Sequence, residues 1–159
     1  VSVLGVVGLI VISSGIGWFQ SAVIGIEGGS HSILAQVESG QLNPELLLAL
    51  IPISIFCIAP GEELIFRYVV QKSLYPHLSK LYSVIVASLI FGSVHLPTYM
   101  LQSVLNDGSL LAGGVSVITV MILSLGLGYI YARTENLLLP IITHGAYNGI
   151  VFANLYMTL

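Results

Sequence analysis

Long stretches of Ile, Leu, Val, Ala, Phe and Gly, broken by short polar intervals, set the first reading of the chain. A membrane-crossing helix needs about 20 such residues, each rising about 1.5 Å. The first stretch is Val1 to about Phe19, and a polar interval follows from about Glu27 to Pro44. Pro44 suits a helix start, with Asn43 as its N-cap. The second stretch runs from Glu45 to about Tyr75. It is apolar to Ala59, meets Pro60-Gly61, and then carries Glu62, Glu63 and Arg67. Being longer than a simple span, it predicts a long helix kinked near Pro60. The third runs from about Ser79 to His95, stopped by Leu96-Pro97, and Asn106-Asp107-Gly108 beyond it is a turn signal. The fourth covers about Gly113 to Ala132. The fifth covers about Leu137 to Met157, with Pro140 in its first turns. The pattern predicts an all-α, polytopic transmembrane helix bundle of about five spans in one membrane-embedded domain, residues 1–159. The chain starts at Val1 rather than Met. Its first stretch has no basic leader or clear cleavage site, so it reads as a span in a fragment that lacks upstream spans.

Composition supports the same picture. Hydrophobic residues make up 56% and charged residues 7% of the chain, against about 25% charged in ordinary soluble domains. Mean hydropathy is +1.01. So few charges cannot cover the core of a soluble enzyme, and four Lys and Arg give no footprint for nucleic acid. The single cysteine, Cys57, rules out a disulfide framework or a CxxC metal site, and its apolar surroundings suggest core packing.

The loop charges suggest an orientation. Lys72 and Lys80 flank the second connection between apolar helices, and Arg133 follows the fourth span, so alternation puts both on one face. The other face carries Glu27, Glu38, Glu45 and Asp107 without Lys or Arg. Positive loops stay inside, so the Lys72/Lys80 and Arg133 connections are expected in the cytoplasm.

Ionisable groups inside spans are costly and are functional candidates by default. Glu63 and Arg67 are four residues apart and can pair on one helix face, which leaves Glu62 without a structural explanation. Phe91 and His95 share a face of the third span, as do His144 and Asn148 in the fifth. Taken singly, His95 reads as an interfacial residue and His144 with Asn148 as interhelical glue. Gly145 and Gly149 would allow close helix approach. Depth joins the clusters. Counting helical rise from Lys72, Lys80 and Arg133 puts Glu62, His95 and His144 roughly 15, 22 and 16 Å deep, near the middle of a core about 30 Å thick.

Two chemistries fit this set. In one, His95, His144 and Glu62 or Glu63 hold Zn2+ or another divalent metal, and the remaining carboxylate is the general base. In the other, Glu62 is the base without a metal, His95 holds the water, and Asn148 or His144 stabilises the oxyanion. Both describe amide hydrolysis in a membrane cavity. There is no HExxH motif and no GxSG serine motif, and the only Asp is Asp107 in a loop, so an aspartyl dyad is impossible. Ser93 reads as a back-bonded serine.

The ordered set Glu62-Glu63-x-x-x-Arg67, Phe91-x-x-x-His95 and His144-x-x-x-Asn148 resembles the CPBP family of intramembrane proteases, which includes CAAX prenyl proteases and Abi-type bacteriocin-processing or self-immunity proteins. The resemblance covers about residues 46–152. It implies an intramembrane endopeptidase in which Glu62 is the catalytic glutamate, Glu63, His95, His144 and Asn148 complete the site, and Arg67 orients the Glu pair. As a metallopeptidase its ligands would be His95, His144 and Glu63. The implied partners are a membrane-associated peptide or protein substrate and the lipid bilayer, with no nucleic acid. The short loops suggest a prokaryotic plasma-membrane protein. Two rivals are a proton- or ion-coupled transporter subunit, whose activity would follow a gradient without cleavage, and a non-catalytic scaffold that would tolerate Glu62→Gln.

Overall fold

The computed structural model describes residues 2–19, 22, 40, 43–105 and 110–159. Glu27, Glu38 and the Asn106-Asp107-Gly108 turn lie outside the described residues. Among the described residues there are no strands, and five long helices form the bundle: α1 (Ser2–Phe19), α2 (Glu45–Leu74), α3 (Lys80–Leu105), α4 (Leu110–Thr134) and α5 (Leu138–Met157).

The bundle interior mixes apolar residues such as Leu47, Phe66 and Leu127 with buried polar ones, Glu63, Arg67, Gln71, Ser54, Ser83, Ser124, Thr143 and His144, while Val3, Trp18, Phe56, Leu105 and Met157 point outward. That apolar exterior suits lipid as the surrounding solvent, and only protein can satisfy the polar groups at that depth. Among the described residues, α2, α3 and α4 are long and apolar enough to cross a membrane. Val3–Phe19 is a shorter apolar helix, and the 20-residue α5 is interrupted by His144, Asn148 and Asn154. The protein is an integral membrane helix bundle.

α2 does not end at Pro60. Its turn Ala59–Glu63 lies between two π-helical segments, Ser54–Ile58 and Leu64–Gln71. Pro60 offers no N–H to the preceding turn, and the irregularity occupies wider turns on both sides of it. Such π segments occur often at functional sites, and here they flank the Glu62-Glu63 pair. α3 corrects an expectation: it continues through Pro97 to Leu105 rather than stopping at Leu96-Pro97. Proline removes one backbone donor, whereas ending the helix within lipid would expose several polar groups.

α5 lies close against α2. A Cβ on Gly145 would stand 3.1 Å from the Cα of Ile55, and one on Gly149 would stand 3.5 Å from Ile51. This is the close approach expected of the small-residue pair. The α2–α3 and α4–α5 connections sit at one end of the bundle, tied by a hydrogen-bonded ion pair from Lys80 to Glu135. The Lys80 hydrogen bond holds the Glu135 carboxyl below its ordinary range. Cys57 corrects a second expectation, because it is exposed on the outer surface rather than packed in the core. In a run that is apolar on all faces, composition does not distinguish a lipid-facing position from an interior one.

Candidate active site

Glu62 and Glu63 are adjacent on α2 and enter different surroundings. Glu63 is fully buried. Its Oε2 accepts a hydrogen bond from Arg67 Nε at 2.8 Å, and its Oε1 lies 2.9 Å from His144 Nδ1 on α5. The i, i+4 spacing places Arg67 one turn on. Arg67 Nη2 also donates to Ser124 Oγ on α4 at 2.9 Å, so one guanidinium links α2 to α4 and, through Glu63, to α5. The face of the Phe91 ring lies 5.7 Å from the Arg67 Cζ, within reach of a cation–π contact. Phe91 itself packs edge-on against Phe66, with centroids 4.7 Å apart.

Glu62 faces a cavity of about 630 Å³ whose wall includes His95, His144, Asn148, Ser54 and Tyr147. Its Oε1 is 3.7 Å from His95 Nε2 and its Oε2 is 3.7 Å from His144 Nε2. Those separations are too long for direct hydrogen bonds. Each imidazole is oriented from behind. His95 Nδ1 is 2.8 Å from the carbonyl oxygen of Phe91, and a carbonyl only accepts, so Nδ1 carries the hydrogen. His144 Nδ1 meets the Glu63 carboxylate in the same way. Each ring thus holds its Nε2 3.7 Å from a Glu62 oxygen. Asn148 Nδ2 donates to Ser54 Oγ at 3.0 Å, which fixes the amide on the cavity wall.

Glu62, His95, His144 and Asn148 therefore share one cavity, brought together from α2, α3 and α5. Glu63 and Arg67 stand behind that wall rather than on it. Ser93 donates to the Leu89 carbonyl at 2.8 Å, away from the chemistry. Two contributors went unnoticed in the sequence, Ser54 holding Asn148 and Ser124 holding Arg67. Serines in apolar helices usually bond back to their own helix, so only the position of a partner helix reveals such roles. Of the expected metal ligands, His95 and His144 line the cavity and Glu63 does not. Both oxygens of Glu63 are engaged by Arg67 and His144, and among the described residues no three His, Cys, Asp or Glu side chains form a group that could hold a metal ion.

A family model described as type II CAAX prenyl endopeptidase Rce1-like matches residues 44–150. The chain belongs to this family. The match contains all seven motif residues and runs from the start of α2 into α5, whereas α1 lies outside it. Comparison with curated proteins and with solved structures gave no match. Membership places this integral membrane bundle among the CAAX-type proteases, in agreement with the resemblance carried by the three motifs.

Proposed function

We propose that this protein is an intramembrane endopeptidase in which Glu62 activates the attacking water. The observation that carries the reading is the 3.7 Å spacing of the two Glu62 oxygens from two histidine Nε2 atoms. With both imidazoles neutral and carrying their hydrogen on Nδ1, four acceptor atoms surround this gap, and one water supplies two donors. Polar contacts beyond about 3.5 Å are commonly bridged in this way.

In this mechanism the water donates to Glu62 and to a histidine Nε2. As the water oxygen bonds to the peptide carbonyl carbon, its proton moves to Glu62. The carbonyl oxygen becomes an oxyanion and is met by the second N–H of Asn148, whose first is engaged by Ser54. The carbon–nitrogen bond then breaks, and Glu62 returns the proton to the leaving amine. Glu63 and Arg67 act through His144, fixing its tautomer and ring direction. No step passes through a metal. Substrates are peptides or proteins held in or on the bilayer, and the loop charges support a cytoplasmic position for the Lys72/Lys80 and Arg133 connections.

The test is cleavage of membrane-reconstituted peptides by purified wild type and Glu62→Gln, each with and without a chelator, alongside metal analysis. Glu62→Gln should lower turnover by about 10²–10⁴, and chelation should leave the wild type unchanged. Full activity in Glu62→Gln would remove the assigned base. Stoichiometric metal with chelator-sensitive turnover would replace the metal-free mechanism.

A further inference from the structure

The buried polar chain that begins at His144 does not end at Arg67. Gln71 lies four residues further along α2 and is fully buried. Its Nε2 donates to the backbone carbonyl of Gly128 on α4 at 3.0 Å and to the Tyr75 hydroxyl at 2.9 Å. Arg67 reaches Ser124 on the same helix, four residues before Gly128. Two successive polar residues of α2 thus hold two successive turns of α4, each bonding to a residue 57 positions away.

A carbonyl only accepts, so the bond to Gly128 fixes which end of the Gln71 amide carries the nitrogen. The other end, Oε1, is buried without a hydrogen-bond partner, and so is Arg67 Nη1, the guanidinium nitrogen that Glu63 and Ser124 leave unused. This acceptor and this donor stand against the same glycine. A Cβ on Gly128 would lie 2.9 Å from Gln71 Oε1 and 3.2 Å from Arg67 Nη1. Buried groups are costly to leave unpaired, and a small turn of either side chain or one bridging water joins these two. The guanidinium plane is then held on Nε, Nη2 and Nη1 together. Arg67 holds Glu63 Oε2, and Glu63 Oε1 meets His144 Nδ1, so that plane bears on the ring whose Nε2 faces Glu62. We infer that Gln71 is a further positioning residue of the site: anchored on Gly128, it holds Arg67, and through Arg67 and Glu63 it sets the direction of the His144 ring. The inference rests on the role proposed above for His144 beside Glu62.

The experiment uses the full chain in lipid nanodiscs, carrying isotope-labelled histidine. Two variants disturb the link in different ways. Gln71→Met removes the amide at similar length. Gly128→Ala keeps both polar groups and presses a methyl against them, and the atoms it meets are side-chain ends, which can give way. The readouts are unfolding temperature, kcat and KM for a membrane-reconstituted apolar peptide, and the ring-nitrogen resonances of His144, assigned with His144→Gln. Both variants should lower kcat by about tenfold at unchanged KM, less than the ~10²-fold that a misplacement of about 1 Å can cost. Both should also shift the His144 Nδ1 resonance. A lower unfolding temperature with wild-type kcat and a wild-type His144 resonance would make Gln71 purely structural and overturn the inference. Failure of both variants to fold would overturn it too, as would a change confined to KM or a loss of kcat with the His144 resonance unmoved. The spectra need no substrate. A wild type that cuts no peptide would remove the hydrolase reading, while the His144 resonance would still decide the role of Gln71.

Discussion

On one side of α2, Glu63 has a 2.8 Å partner on one oxygen and a 2.9 Å partner on the other, and water does not reach it. On the other side, Glu62 looks into a cavity and meets its histidines only at 3.7 Å. The two residues are identical in chemistry and adjacent in sequence, so environment alone divides them. A carboxylate whose acceptors are filled by short, buried bonds has little capacity left for a reaction and serves to hold others. A carboxylate with unfilled acceptors, facing oriented imidazoles, can take a proton. The contrast supports the proposed division, with positioning on the Glu63–Arg67–Ser124 side and chemistry on the Glu62–His95–Asn148 side.

The strongest way to break the contrast is to attack the positioning side. Arg67→Ala would leave the buried Glu63 uncompensated, at a cost of about 3–5 kcal/mol. Thermal unfolding in detergent should show a large drop, with activity lost alongside. Arg67→Lys should recover only part of it, since an ammonium lacks the planar fork that reaches Glu63 and Ser124 together. An Arg67→Ala protein as stable and active as wild type would dissolve the distinction.

Asn148→Ala tests the chemical side. Loss of an oxyanion donor typically lowers kcat by about 10²–10³. The expected signature is a fall in kcat with KM little changed and only a modest loss of stability. A change confined to KM would move Asn148 from the transition state to substrate binding.

Ser124→Ala sharpens the positioning side by a smaller step. Removing the hydroxyl leaves Arg67 Nη2 without its partner, worth about 1–3 kcal/mol for a buried group. Unfolding temperature should fall while kcat changes less than in Asn148→Ala. A larger effect on kcat than on stability would put Ser124 in the reaction.

The Lys80–Glu135 pair marks the lower end of the scale, since both side chains are more than half exposed. The Lys80 hydrogen bond lowers the Glu135 pKa from its ordinary 4.5. Any stability from this shift is therefore present above the ordinary value and lost as pH falls through the lowered one. Glu135→Gln should unfold close to wild type at neutral pH, and any remaining difference should vanish in acid. A difference that grew on acidification would contradict the sign of the shift.

The candidate site is legible in the sequence because charge is rare in this chain. Glu62, Glu63, Arg67, His95 and His144 stood out against apolar helices, and i, i+4 spacing paired Glu63 with Arg67 correctly. What the sequence did not disclose depends on how helices face one another. The bond from Glu63 to His144 joins residues 81 positions apart, and no local pattern encodes it. Ser54 and Ser124 carry no local signal of their partners on other helices. The exposure of Cys57 and the passage of α3 through Pro97 were hidden for a related reason. In lipid, an apolar run carries no alternation to mark its outer face, and the backbone keeps its helix where water would have let it end.

The most direct measurement compares Glu62→Gln with Glu63→Gln in the same lipid, recording unfolding temperature and kcat for both. The account predicts a crossed result: Glu62→Gln unfolds near wild type and loses about 10²–10⁴ in turnover, whereas Glu63→Gln unfolds at a clearly lower temperature because Arg67 is left buried without its counter-charge. Equal behaviour of the two variants, or a stable Glu63→Gln paired with an active Glu62→Gln, would contradict it.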